Sequence, residues 1–108
     1  MRTILFGLTL AIAAPAAATA NSVPIADLRP EQNATIVGTV EQIVSYDEFV
    51  LADQSGSVHI YIGANEMPVA VGDQVHVSGV LDDGLAPEFY ARQIVFADGQ
   101  TVTLSRGY

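Results

Sequence analysis

The 108-residue sequence has no cysteine and no lysine, and its four arginines face twelve carboxylates for a formal net charge of −8. Without cysteine there is no disulfide framework, so stability has to come from burial in one compact core. So few basic side chains cannot line a groove for phosphates, which argues against single-stranded nucleic-acid binding. No serine sits in an elbow motif and no histidine is paired by its context with a nucleophile, so a non-enzymatic protein is expected, with no cofactor. There is no internal repeat, low-complexity tract or sign of a second domain. Long apolar runs are also missing, apart from the eleven residues Ile4–Ala14, which fall short of the about 20 needed to cross a bilayer.

That run follows Arg2 and is broken by Pro15, five residues before the small-residue site Ala18-Thr19-Ala20. This layout predicts a secretory signal peptide over residues 1–20, cleaved before Asn21, and hence a periplasmic or secreted product. The remaining residues 21–108 hold 40 apolar residues in 88 and carry a net charge of −9. Among them valine and isoleucine total 19 against five leucines, a bias toward strands.

Residues 21–33 form a mixed lead-in in which Pro24 and Pro30 bracket Ile25-Ala26-Asp27-Leu28, room for one helical turn against the end of the domain. The β-branched segment Thr35–Val44 predicts a long first strand, with Gly38 placed to take a bulge or a sharp bend. Ser45-Tyr46-Asp47 turns the chain into a second strand, Glu48–Asp53, and Gln54-Ser55-Gly56 connects to a third, Ser57–Ile62. In the third strand Val58, Ile60 and Ile62 alternate with Ser57, His59 and Tyr61, which predicts one buried and one wet face. The crossover Gly63–Gly72 has room for a short helical turn at most, and the two-residue period resumes in a fourth strand, Asp73–Leu81. After the loop Asp82–Pro87 an aromatic-rich fifth strand runs from Glu88 to Phe96, and Asp98-Gly99 allows Thr101–Leu104 to fold back as a sixth. The expected architecture is all-β: a five-stranded OB-fold Greek-key barrel over residues 34–108, with short helical turns at most.

Two segments carry a family likeness: Val37-Gly38-Thr39-Val40 after its one-turn lead-in, and Val71-Gly72-Asp73-Gln74-Val75-His76-Val77-Ser78-Gly79-Val80. With Phe49-Val50-Leu51-Ala52-Asp53 and the Ser55-Gly56 turn they cover most of residues 34–96. Behind a signal peptide, this pattern resembles the bacterial OB-fold (BOF) family of small periplasmic proteins. The resemblance implies a periplasmic binding role associated with stress tolerance, and it brings no catalytic motif.

Tyr46, Phe49, His59, Tyr61 and Tyr90 are the candidates for a ligand face, since OB barrels take ligands on the second and third strands and their flanking loops. Phe49 reads more readily as core, and the tyrosines as half-buried barrel rim, because aromatic side chains mostly contribute packing. His59 and Tyr61 are the best placed, turned outward by the alternation. His59 and His76, with Asp73, Asp82 or Asp83, are weak metal candidates, because the two histidines lie on strands that are not neighbours in this fold and specific sites need clustered ligands. Asp82-Asp83-Gly84 lacks the alternating carboxylates of a calcium loop and reads as a turn. Glu48 and Asp53 read as solvated strand ends.

The leading expectation is a binding module that recognises an envelope protein or a cell-wall fragment through Tyr46, His59, Tyr61 and Tyr90, with acidity favouring cationic partners. The alternative is a metal- or cation-binding stress protein, and a purely structural adaptor is a third reading.

Overall fold

The computed structural model describes residues 21–105, so the expected leader lies outside the described residues. Six strands account for most of them: β1 (Asn33–Ser45), β2 (Glu48–Asp53), β3 (Gly56–Tyr61), β4 (Gln74–Leu81), β5 (Glu88–Phe96) and β6 (Thr101–Thr103). They pair in the order β3-β2-β1-β4-β5-β6, and a parallel pairing of β3 with β5 closes the first five into a barrel. This is the all-β OB-type barrel the periodicity predicts, with β6 appended as a short hairpin partner of β5. The strand boundaries agree with the sequence reading to within two residues.

Closure leaves one interior, and the apolar alternation fills it. Ile36, Val40, Phe49, Leu51, Ile60, Ile62, Val75, Val77, Phe89 and Ile94 are all shielded from solvent. Each such side chain contributes about 1.5–3 kcal/mol of burial, which is how a chain without disulfides holds together. Phe49 belongs to this core and is not a ligand-face residue, because β2 directs Phe49 and Leu51 inward and Glu48 outward.

Gly38 carries no bulge, and what requires glycine there is a close approach. The β1–β4 register runs unbroken through it, and the irregularities of β1 fall later, at Glu41 and Val44. A Cβ at Gly38 would lie 2.4 Å from the Ala52 carbonyl oxygen, so glycine is needed for the close approach of β2. β1 passes from β4 to β2 at Thr39, and the two later bulges lie in the stretch paired with β2 alone.

The lead-in packs across the barrel as expected, with a single 3-10 turn at Ile25–Asp27 and Ile25 buried. It is tied down by a carboxylate. Asp53 Oδ2 accepts from the Ile25 N–H at 2.9 Å, while its Oδ1 accepts from the Ser55 N–H, the Ser55 hydroxyl and the Gly56 N–H. Asp53 is therefore a structural anchor and not a solvated strand end. The crossover from Gly63 to Gly72 contains no helical turn. Val69 plugs the core from it, and Asp73 Oδ2 accepts from the Ala70 N–H at 2.9 Å to fix its end.

Candidate functional site

Alternation turns Glu48 of β2, His59 and Tyr61 of β3, and Glu88 and Tyr90 of β5 to the outside of the barrel. The pairing registers then assemble them: Glu48 sits beside Tyr61 and Tyr61 beside Tyr90, while His59 sits beside Glu88. Two cross-strand rows result at the seam where the barrel closes, Glu48–Tyr61–Tyr90 and His59–Glu88.

The Tyr61 and Tyr90 rings are 5.2 Å apart between centroids and tilted by 59°, a geometry that favours edge-to-face attraction. His59 Nδ1 is hydrogen-bonded to Glu48 Oε2, with the imidazole half exposed and the Glu48 side chain only 18 % exposed. Glu48 thus departs from the solvated strand end expected for it. Desolvation raises the Glu88 carboxyl above its ordinary range, and the charge of Glu48, a hydrogen bond with Glu48 and the charge of Asp82 push it further. Only His59 opposes them. Asp82 reaches this neighbourhood from the β4–β5 loop, where its Oδ1 accepts from the Glu88 and Gly84 N–H groups, both at 3.2 Å. Carboxylates from three elements and one imidazole therefore share a patch that holds more negative charge than its own partners neutralise.

Of the four residues expected to bind ligand, His59, Tyr61 and Tyr90 come together. Tyr46 stands apart at the tip of the β1–β2 turn, 81 % exposed, and makes no ring contact among the described residues. Its turn is nevertheless fixed, because the Asp47 side chain accepts from the Ser45 hydroxyl and the Asp47 carbonyl accepts from the Ile62 N–H. Glu48 and Glu88 are the residues the sequence reading missed as site members. Each opens a strand and has the outward parity of His59 or Tyr61, but which strands adjoin is a property of the closed barrel.

The metal candidates are dispersed. His76 lies on β4 between Val37 of β1 and Val95 of β5, away from His59, and it is half-buried with its Nδ1 shielded and unpartnered. It keeps the outward parity expected of that position but is only partly exposed. Asp73 and Asp82 are both committed to backbone N–H groups. Among the described residues no three histidine or carboxylate side chains are grouped to hold a metal ion.

The patch continues down β5. Glu31, Asn33, Val80, Asp82, Tyr90 and Arg92 line a surface groove of about 510 Å3, in which the Arg92 guanidinium donates to Asn33 Oδ1.

No protein-family model matches the sequence, and no curated protein matches it. A solved structure does. The barrel is similar to that of the hypothetical protein YgiW from E. coli, at 23 % sequence identity and a TM-score of 0.59, over 78 % of this chain and 92 % of that one. At this identity the likeness to YgiW concerns the fold, and it agrees with the strand order and closure described above.

Proposed function

We propose that this chain is a non-enzymatic binding module of the BOF type, exported to the periplasm, that recognises a cationic group on a cell-wall fragment or an envelope protein. The observation that carries this reading is the Glu48–His59–Glu88 cluster. It occupies the outer face of β2 and β3, next to the β4–β5 loop, where OB barrels take their ligands. There desolvation, and after it repulsion from Glu48 and Asp82, raises the Glu88 carboxyl. An incoming ammonium or guanidinium would relieve that repulsion, and the Tyr61–Tyr90 pair next to it offers ring faces and edges to the rest of the ligand. The same charges disfavour phosphates, so single-stranded nucleic acid is a poor fit. The leader-like residues 1–20 support export, and a role in stress tolerance follows from the family likeness alone.

The test is a titration of nitrogen-15-labelled residues 21–108 with soluble peptidoglycan fragments carrying free amines. Saturable amide shifts centred on Glu48, His59, Tyr61, Glu88 and Tyr90, lost in the doubly substituted Glu48→Gln, Glu88→Gln protein, are expected. Shifts that survive both substitutions would remove the cation-recognition reading.

A further inference from the structure

The acidic cluster is one end of a longer feature. Along β5 the residues Glu88, Tyr90 and Arg92 all project outward, and Arg92 lies four residue steps beyond Glu88, roughly 13 Å at about 3.3 Å per residue. Negative charge from Glu88, Glu48 and Asp82 gathers at one end, the tyrosine pair lies between, and a guanidinium stands at the other.

Alternation turns Arg92 outward with Glu88 and Tyr90, and the inward parity shifts only after it, at Ile94. The β4–β5 register passes from Ser78↔Gln93 to Gly79↔Ala91, which leaves Arg92 as the extra residue of a bulge. Arg92 lines the groove beside Tyr90, where its guanidinium donates to Asn33 Oδ1. Despite the excess of carboxylates in the chain, Arg92 forms no ion pair among the described residues. Its remaining donors suit a bidentate carboxylate.

We infer that the ligand is dipolar: a short peptide with both termini free, laid along β5 with its ammonium at the Glu88 end and its carboxylate on Arg92. This rests on the cation-recognition reading above and adds its second anchor. An extended peptide spans about 3.3 Å per residue, so four residues match the separation of the two charged ends. The tyrosine pair then underlies the middle of the peptide. One opposite charge at each end fixes its direction, which an acidic patch alone would not do.

The experiment uses tetra-alanine as probe, beside its N-acetylated form, its C-terminal amide and di-alanine, each titrated into residues 21–108 and followed by amide shifts. Free tetra-alanine is expected to bind best. Either blocking group should cost about tenfold in affinity, as loss of a charged hydrogen-bond partner does, and di-alanine should bind more weakly because it cannot reach both ends. In Arg92→Gln, whose fold is checked by its unperturbed core amides, the free acid and the amide should bind equally. If the amide binds wild type as well as the free acid does, or if tetra-alanine does not bind at all, the dipolar inference is overturned while the cluster's affinity for amines still stands on its own titration. If the acetylated peptide binds as well as the free one, the cation-recognition reading falls with it.

Discussion

Asp53 accepts four hydrogen bonds, three from its own hairpin and one from the lead-in turn, so two segments far apart in sequence meet on one carboxylate. Asp53→Ala should therefore destabilise the fold by about 1–3 kcal/mol, read as a fall in Tm of roughly 4–8 °C per kcal/mol. The pH dependence has a definite sign. Partial desolvation pushes the Asp53 carboxyl up, but the bonds from Ser55, Ile25 and Gly56 outweigh it and hold the group below its usual 3.8. A carboxylate held low stabilises fully above its unfolded value and loses that contribution as pH falls through the folded one. The gap in Tm between wild type and Asp53→Ala should be widest near neutrality and should narrow as pH falls below 3.8. A gap constant from pH 7 to pH 2.5 would mean that the side chain's packing, and not its charge, is what matters. Glu88 behaves in the opposite way. Its carboxyl is raised, so whatever it contributes is present at low pH and lost as pH rises through the folded value. Glu88→Gln should match wild type near pH 3 and equal or exceed it in Tm at pH 7, even though it weakens cation binding. A lower Tm at pH 7 would show instead that the charged carboxylate is needed to hold His59.

The strands show which features of the fold the sequence made readable. In β4 the alternation of Val75 and Val77 with His76 and Ser78 reproduces the buried and half-buried faces. The same rule turned His59 and Tyr61 outward, so half of the candidate site was legible from two residues of spacing. The rest depends on closure. Nothing local to Glu48 or Glu88 announces that β3 will run parallel beside β5, and that pairing alone places His59 next to Glu88. The bulge at Arg92 did leave a trace, because the inward residues change parity between Ala91 and Ile94. At Gly38 the signal was present but ambiguous, since a mid-strand glycine marks either a bend or a close backbone approach. The geometry shows the close approach. Gly38→Ala should cost about 1–3 kcal/mol, the usual penalty for overpacking, because its methyl would meet the Ala52 backbone. At Gly84 an added Cβ meets only Asp82 Oδ1, at 3.6 Å, so Gly84→Ala should stay within about 0.5 kcal/mol of wild type. Equal urea midpoints for the two variants would contradict the close-approach account.

At the scale of the whole molecule the governing quantity is charge. Residues 21–108 carry a net −9, and in a barrel this small the carboxylates cannot all find distance from one another. Like charges raise the free energy of the compact state more than that of the expanded chain, and salt screens this repulsion over a Debye length of about 10 Å at 0.1 M. Raising sodium chloride from low millimolar to 150 mM at pH 7 should therefore increase Tm. The same addition should weaken the binding of amine-bearing fragments, since the attraction between the Glu48–Glu88 face and a cation is screened as well. Stability and affinity are thus expected to move in opposite directions along one titration. That contrast separates electrostatic recognition from apolar recognition, in which added sodium chloride would leave affinity unchanged while still raising Tm. If Tm instead falls with salt, the favourable pairs, His59 with Glu48 foremost, outweigh the net repulsion. The acidic surface would then be arranged for stability as much as for binding.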